Sequence, residues 1–441
     1  MKTYLKSHLS DARIKACQDD RFSMQDKFFS ESLQQVGEVC VNKLRQLYAI
    51  YDENIYIWLS RLWEPDIGGF YFSEGGRDAE GFLPDIESTV QALRHLESSG
   101  LNSSRKGNSI PAATSDKMRE KLVFFAKSLQ NSEDGYFYHP QWGKRISTSR
   151  RGRDLAWSLS LLREFSEKPL YPTPLERGKV KNAPSTLPEH LSSLSAFREY
   201  LDKCDFTTRS YWFGNQLDSQ KSQIQAAGEE FVEAMFSHLE ERQRADNGLW
   251  EPQVNYASVN GLMKVNLLYT YFSRPLPNAV AAFNSAFFAA MSDEPIDFCT
   301  QFYNPLITMQ EILENIKKFA SVELADSLRS IIKQNAARLI SITTAKVAPC
   351  KKADGGFGYF YNRGCVISQS APVGLEQLEG DINASGICST GIVNPVCALL
   401  EIPRIPLFGI EDSKLFYELI ENAEVKPKTV PKPEWFESKL V

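Results

Sequence analysis

The sequence predicts an all-α protein built from six helical hairpins, and three observations support this prediction. A turn of glycine followed by aromatic residues recurs along the chain, with its last glycine at Gly69, Gly135, Gly248 and Gly356. The intervals are 66, 113 and 108 residues, and the last two are each roughly twice a period of about 55, which is in the range of repeat architectures. Between the turns, apolar residues recur at the three- and four-residue steps of helices.

The first half of the chain alternates amphipathic helices with helices that are poor in charge. Pro84 and Asp85 predict the start of one charge-poor helix, because proline and acidic residues are favoured at that end. Gly100 predicts its end, since glycine commonly terminates a helix. A polar, proline-rich stretch over 171–188 predicts a connector. The helices predicted in this half cover about 32–63, 84–99, 115–130, 154 onward and 189–203.

The second half continues the alternation, and two aromatic segments complete the count of units. Tyr211–Asn215 and Phe298–Pro305 fall inside the two long intervals and are predicted to be degenerate copies of the turn. Strand signals are limited to short runs in the loops, Gly69–Phe72 and Gly358–Tyr361. The helices predicted in this half cover about 226–242, 257 onward, 278–291, 322–346 and 381 onward.

The two helices of each unit differ in composition. The first is long and amphipathic, whereas the second is rich in small residues, as in 383–391, and a helix with little charge is typically buried. An outer ring of the first kind around an inner ring of the second is an (α/α)6 toroid. In this architecture and in its Gly-Gly-aromatic turns, the chain resembles the six-hairpin superfamily: six-hairpin glycosidases, toroidal polysaccharide lyases, and the related terpenoid cyclases and prenyltransferases. The resemblance implies an N-terminal extension over 1–31, a toroid domain over 32–405 and a C-terminal tail over 406–441.

Composition limits the classes of partner. The chain has a net charge of -5 and 24% charged residues, which gives no basic surface for nucleic acid. No apolar run in the sequence suggests a membrane span, and the N-terminal residues lack the apolar core of a secretory signal. The eight cysteines have no Cys-x-x-Cys spacing, which favours reduced thiols in a cytoplasmic protein. We therefore expect no metal, no cofactor, no nucleic acid and no membrane partner, and the oligomeric state stays open.

The loops that join outer to inner helices would gather at one end of a toroid and form an aromatic cup. Such a cup predicts a sugar-binding cleft, because aromatic faces stack on the apolar faces of pyranose rings; the alternative is that these aromatic residues only pack the turns. Trp142 and Trp250 are favoured because polar residues flank them. The predicted substrate-binding residues are His139, Trp142, Arg145, Arg153, Trp250, Glu251, Tyr256, Asn260 and Tyr359.

Carboxylates near the starts of the inner helices are the candidates for acid–base catalysis. Glycoside hydrolysis usually needs two facing carboxyl groups, and Asp154 with Glu87 is the first predicted pair, with Asp381 and Asp78 in reserve. Asp154 ranks first because arginines flank it. The same residues stand where helix-capping acids are expected, which is the alternative interpretation. The resemblance and this pair together predict a glycoside hydrolase acting on an oligosaccharide that can carry an anionic group.

Two alternatives stay open at this point. A uronate lyase would use Tyr256 and His139 as base and acid. The other alternative is a terpenoid-cyclase-like toroid, or a toroid that binds a ligand or protein without catalysis. The sequence has no Asp-x-Asp-Asp run for a protonating terpenoid cyclase, and the binding alternative would gain if the cup carboxylates proved to be helix caps.

Overall fold

The computed structural model describes residues 9–105, 107 and 109–440, and it is mostly helical. Helices hold 59% of the residues and strands hold 4%, which confirms the predicted all-α class. The helices are α1 (Asp11–Tyr48), α2 (Asn54–Arg61), α3 (Glu74–Asp78), α4 (Ile86–Ser99), α5 (Asp116–Ser128), α6 (Thr148–Glu164), α7 (Leu194–Asp202), α8 (Phe206–Ala227), α9 (Glu229–Arg242), α10 (Tyr256–Tyr271), α11 (Ala279–Ala290), α12 (Thr300–Phe319), α13 (Val322–Gln334), α14 (Ala336–Val347), α15 (Ile382–Cys388), α16 (Thr390–Leu400) and α17 (Ile410–Glu421).

The strands form two short antiparallel pairs. The strands are β1 (Trp63–Glu64), β2 (Gly69–Phe70), β3 (Ile367–Ser368) and β4 (Ala371–Pro372). In the first pair Trp63 lies opposite Phe70, and in the second Ile367 lies opposite Pro372. Of the two predicted short strands, the run that starts at Gly69 contains β2, whereas Phe360 makes only an isolated bridge to Phe298 within the described residues.

Seven helices contact one another in a closed order. Helix α4 packs on α6, α6 on α8, α8 on α10, α10 on α12, α12 on α16, and α15 and α16 return to α4. Four further helices pack on this set: α5 lies on α6, α9 on α8, α11 on α12 and α13 on both α12 and α16. Helix α11 has no charged residue whereas α6 has six, so the predicted difference in charge between the two kinds of helix is wrong at these positions. The apolar side chains between the helices form one large core. A central space lies among these helices, and it holds the candidate site described below.

Two glycines of the recurring turn explain why glycine is required there. Gly248 has φ of +68°, and a Cβ at this position would overlap the backbone of Ala282 in α11. Gly355 has φ of +107°, and its Cβ would overlap the carbonyl oxygen of Asn54 in α2. Glycine alone adopts a positive φ without strain and also allows the close approach. The turn near Gly355 therefore packs directly against α2.

The acidic or amide residue just before the glycine forms a hydrogen bond to the backbone of the same turn. Asn247 Oδ1 accepts a hydrogen bond from the Leu249 N–H at 2.9 Å. Asp354 Oδ1 accepts one from the Gly356 N–H at 3.0 Å. Each is an Asx turn, in which a short polar side chain bonds to the backbone two residues further on. The residue pattern seen in the sequence is therefore a structural device for the turn.

The Gly248→Ala variant should be destabilised by about 2 kcal/mol or more, because alanine is strained at positive φ and its methyl group overpacks the contact with Ala282. The free energy of unfolding in urea measures this effect. Gly386→Ala is the matched control, since nothing lies within 4 Å of its added Cβ, and it should stay within about 1 kcal/mol of the wild type. Equal stability of the two variants would contradict the role given to Gly248.

The prediction that Tyr211–Asn215 forms an aromatic turn is wrong. These residues lie inside α8, which runs from Phe206 to Ala227. Gly214 faces α10, where an added Cβ would lie 3.0 Å from Lys264 Cβ. The glycine therefore permits two helices to pack closely and does not end one of them.

Other predicted boundaries shift by smaller amounts. The predicted turn over Phe298–Pro305 contains the start of α12 at Thr300, and Pro305 lies within that helix. The helix predicted over 322–346 is divided into α13 and α14 at Asn335. Helix α6 begins at Thr148, because Ser147 caps it by accepting from the Arg150 N–H at 3.2 Å.

The predicted terminal segments pack on the rest of the chain. Helix α1 crosses the predicted boundary at residue 32 and packs on α14 and α17. Helix α17 lies in the predicted tail and packs on α1 and α2. Residues 382–400 form an apolar helical stretch that is long enough to cross a membrane by length and composition, which the sequence analysis missed. Of this stretch, 67% is buried inside the protein, as in a core helix.

Candidate functional site

A cavity of about 1010 Å³ lies in the central space. Side chains from α4, α6, α8, α10, α12 and α15 all contribute to its wall, together with Tyr359 and the β3–β4 hairpin residue Gln369. Its size is at the upper end of the range of about 300–1,000 Å³ for ligand sites. The wall is both aromatic and charged, and its aromatic members are Trp157, Tyr211, Tyr271, Tyr303 and Tyr359.

The most exposed part of the wall lies at the C-terminal ends of the inner helices. Arg94, Arg163 and Tyr271 are exposed near the ends of α4, α6 and α10. Lys179, from the long connector, is exposed beside them. The sequence analysis expected the aromatic turns at the opposite ends to form the opening. In the structure these turns pack between helices, and Phe70 and Phe357 are fully buried.

The cavity has an excess of positive charge although the whole chain is acidic. Three carboxylates line it, Glu87, Asp218 and Glu311. Twice as many cationic side chains do so, Arg94, Arg153, Arg163, Lys179, Lys221 and Lys264. Such an excess raises the local concentration of an anionic ligand.

Glu87 is held between two arginines. Its side chain bonds to Arg153, and Oε2 lies 3.0 Å from Arg150 Nη1. Burial by itself would raise the pKa of Glu87, but Arg153 and Arg150 outweigh burial and lower it. Glu87 is therefore a fixed anion on the cavity wall.

Asp218 is held between two lysines. Its Oδ1 accepts a hydrogen bond from Lys221 Nζ at 2.6 Å, and Oδ2 lies 3.7 Å from Lys264 Nζ. Burial opposes ionisation, but Lys264 and Lys221 together lower the pKa of Asp218. Asp218 is only 8% exposed, so a second ionised carboxylate lines the wall.

Glu311 has a different environment from the other two carboxylates. Its Oε2 accepts a hydrogen bond from Asn266 Nδ2 at 3.1 Å, and no ion pair to Glu311 occurs among residues 9–105, 107 and 109–440. Burial raises the pKa of Glu311 to about 7, and the negative charge of Asp218 adds to the effect. A carboxyl group that holds its proton near neutral pH can act as a general acid.

Of the four predicted catalytic residues, only Glu87 belongs to the described cavity wall. Asp154 is 2% exposed and pairs with Arg150 Nε at 2.8 Å. Asp381 caps α15 by accepting from the Ala384 N–H at 2.7 Å. Asp78 pairs with the adjacent arginine. The structure therefore does not bring the predicted pair of Asp154 and Glu87 together across the cavity, because Arg150 joins them in one buried cluster.

Among the predicted substrate-binding residues, Arg153 and Tyr359 line the cavity. Tyr359 stacks on Phe298 with ring centroids 5.5 Å apart, and its backbone N–H donates to Asp381 Oδ2 at 2.7 Å. Asp381 thus acts on the cavity only by positioning Tyr359.

The remaining predicted binding residues have other contacts. His139 Nε2 lies 2.7 Å from the Pro84 carbonyl oxygen, and its ring packs on Trp142. Arg145 is exposed and pairs with Glu437 at 2.7 Å. The other four are buried or partly buried in the helix packing and are Trp250, Glu251, Tyr256 and Asn260.

Three hydrogen bonds explain the positions of Trp250, Glu251 and Tyr256. Trp250 Nε1 donates to the Leu239 carbonyl at 2.8 Å. Glu251 Oε1 accepts from Ser210 Oγ at 2.6 Å at the start of α8. Tyr256 donates to the Ser292 carbonyl at 3.1 Å. These contacts fix loops and helix ends, and the three side chains do not line the cavity.

Sequence reasoning missed Asp218, Lys264 and Glu311. All three lie well inside inner helices, whereas the search was restricted to the helix starts. Lys264 is an isolated charge in the otherwise uncharged helix α10, and a lone charge in a buried helix is the signal that could have found it. Asp218 and Glu311 carried no comparable signal, because polar residues surround both in the sequence.

The fold and the cavity define a class, a mostly helical protein with a central cationic cavity. No model of a known family matches the chain, and no curated protein or solved structure has significant similarity to it.

Proposed function

We propose that the protein is an (α/α)6 toroid of the six-hairpin type and a glycoside hydrolase that cleaves an anionic oligosaccharide in its central cavity. The observation that carries the proposal is that two carboxyl groups on the cavity wall differ in protonation. Glu311 is a carboxyl group with no ion pair in the described part of the chain, Asp218 is an ionised carboxylate close enough to raise the pKa of Glu311, and cationic side chains outnumber anionic ones around them.

The closed order of helix contacts supports the toroid. Six inner positions contact their neighbours in sequence order, and the last returns to the first. Further helices pack against them, and the turn at Gly355 docks on α2. A ring of six hairpins accounts for all three observations.

Positive charge at the opening supports an anionic substrate. Arg94, Arg163 and Lys179 are exposed there, and Arg153 and Lys264 lie deeper. Arginine pairs bidentately with carboxylate or sulfate groups, and lysine provides a point charge. The aromatic members of the wall, such as Trp157 and Tyr303, offer faces on which sugar rings can stack.

In the proposed reaction, protonated Glu311 donates its proton to the glycosidic oxygen as the C–O bond breaks. A water molecule attacks the anomeric carbon, and Asp218 accepts the proton that this water loses. Lys221 and Lys264 keep Asp218 ionised. Glu87, held by Arg150 and Arg153, stabilises positive charge that develops on the sugar.

The two alternatives differ in how much support they keep. A uronate lyase that uses His139 and Tyr256 has little support, because both residues are buried in other contacts. A toroid that binds an anionic saccharide without cleaving it agrees with the charge of the cavity equally well. Product analysis distinguishes these three functions.

The test is incubation of the whole protein with three probes: oligogalacturonide, heparin-derived tetrasaccharide and neutral maltotetraose. A hydrolase releases new reducing ends from at least one anionic probe and gives no unsaturated product, whereas a lyase gives a product that absorbs in the ultraviolet. Glu311→Gln should abolish most of the release, while Glu314→Gln, an exposed position on the same helix, should keep it. Cleavage that survives Glu311→Gln, or binding of both anionic probes without any cleavage, would overturn the proposal.

A further inference from the structure

A second pocket adjoins the cavity at the N-terminal ends of α6 and α8. It has a volume of about 420 Å³ and shares two wall residues, Tyr211 and Gln369, with the central cavity. We call it the amide pocket, because four of its side chains are carboxamides, Asn215, Gln216, Gln220 and Gln369. The rest of its wall consists of serine and threonine hydroxyls and of aromatic rings.

The amide pocket contrasts with the cavity in charge. No aspartate, glutamate, lysine or arginine lines it within the part of the chain that the structure describes. Its one titratable nitrogen base is His190, whose pKa is lowered by burial, so this ring is neutral at pH 7. The Arg209 guanidinium lies outside the lining, 5.6 Å from the centroid of the Trp212 ring, so the lining itself offers an ionic ligand no counter-charge, which favours a neutral and polar ligand.

Two buried amide oxygens in the pocket lack hydrogen-bond donors. Asn215 is 9% exposed, and its Nδ2 donates to Gln369 Oε1 at 3.0 Å, but its Oδ1 has no partner in the described residues. Gln220 is 3% exposed, and its Oε1 likewise has no hydrogen-bond partner in the described residues. The Tyr200 hydroxyl, a donor in the same pocket wall, donates to Gln216 instead, at 2.9 Å. Both oxygens are covered in the ligand-free pocket, so a ligand hydroxyl would reach them only if the amide side chains turn toward it; such a hydrogen bond would remove the free-energy cost of an unmet buried acceptor.

The aromatic residues of the pocket supply the apolar part of such a ligand site. Trp212 is 49% exposed, although large aromatic side chains are usually covered. Tyr200 stacks on His190 with ring centroids 4.2 Å apart, which fixes that side of the wall. The exposed Trp212 ring, beside amide groups that can accept hydrogen bonds from hydroxyl groups, matches a pyranose, which has apolar C–H faces and a rim of hydroxyl groups.

We propose that the amide pocket binds a neutral sugar unit of the substrate, next to the anionic part held in the cavity. This proposal rests on the saccharide chemistry proposed for the cavity and adds that the substrate is mixed, with a neutral unit joined to an anionic one. Tyr211 and Gln369 lie between the two units. The pocket then selects the neutral unit through Trp212, Asn215 and Gln220.

The test measures binding of four neutral trisaccharides to the full protein by titration calorimetry: maltotriose, cellotriose, mannotriose and chitotriose. At least one should bind at millimolar concentration, and Trp212→Ala should weaken it about two- to tenfold, the effect of one lost stacking contact. Phe124→Ala, at a 71% exposed aromatic residue on α5, should bind as the wild type does. Absence of binding by all four, or equal binding by Trp212→Ala, would overturn the amide pocket assignment.

A second variant separates this assignment from the proposed reaction. Glu311→Gln should bind the neutral trisaccharide with the wild-type affinity while losing cleavage of the anionic probe. If the trisaccharides fail to bind but Glu311→Gln still loses cleavage, the amide pocket assignment fails and the reaction stands. If binding follows the prediction and no anionic probe is cleaved, the reaction fails and the pocket stands.

Discussion

Replacing Arg150 with methionine is expected to lower the free energy of unfolding by about 3–5 kcal/mol, the cost of breaking a buried ion pair from one side. Arg150 is fully buried and lies 3.0 Å from Asp85, 3.0 Å from Glu87 and 2.8 Å from Asp154. Methionine keeps most of the volume against Trp142 but removes the charge. Asp85 and Asp154 would then have no ion-pair partner among the described residues, and Glu87 would keep only Arg153.

The size of this loss should depend on pH. Burial raises the pKa of Asp154 to about 7 even with Arg150 present, and Asp85 and Glu87 add to the effect. Without Arg150, which lowers it, the pKa of Asp154 in the folded state should rise further above its value in the unfolded state. A group with a raised folded pKa stabilises the fold at low pH and loses this contribution as pH rises, so the variant should be closer to the wild type at pH 5 than at pH 8.

Urea unfolding at both pH values measures these effects. Arg145→Met is the matched control, because it removes an arginine from an exposed pair with Glu437, and it should leave the urea midpoint unchanged. If Arg150→Met is as stable as this control, the buried cluster does not have the role described. A loss that is independent of pH would also contradict it.

The second large effect is expected in catalysis. Glu311→Gln should lower kcat on the cleaved anionic probe by about 10²- to 10⁴-fold, because glutamine cannot donate a proton to the leaving oxygen. KM should change little, since glutamine keeps the shape and the contact with Asn266. Glu314→Gln is the matched control on α12, and its kcat should stay at the wild-type value. A loss that appears in KM with kcat unchanged would show that Glu311 only binds substrate.

Local chemistry explains how much of the fold could be predicted from the sequence. The turns at Gly248 and Gly355 depend on positive φ and on an Asx hydrogen bond, and both leave a residue pattern that can be recognised. The segment Tyr211–Asn215 has a similar composition, yet its glycine serves contact between α8 and α10. A sequence cannot distinguish these two uses of glycine, because the difference lies in a residue some fifty positions away.

The residues of the candidate site could likewise be predicted only in part from the sequence. Asp154 was favoured because arginines flank it, and Arg150 is indeed its partner; this pairing closes the cluster and keeps Asp154 away from the cavity. Glu87 was placed among the candidates and lines the cavity wall. The positions of Asp218 and Glu311 depend on how α8, α10 and α12 pack, and their distinct protonation depends on a lysine of α8 and on a lysine and an asparagine of α10.

The most direct test of the central claim, that Glu311 is the acid of an enzyme site in the central cavity, is the pH dependence of kcat/KM on the cleaved anionic probe. The account predicts a plateau below pH 7 and a fall of about tenfold per pH unit above it, because the pKa of Glu311 is raised to about 7. The Glu311→Gln variant should have low activity without this alkaline fall. A wild-type profile that is flat through pH 7, or an alkaline fall that persists in Glu311→Gln, would contradict the account.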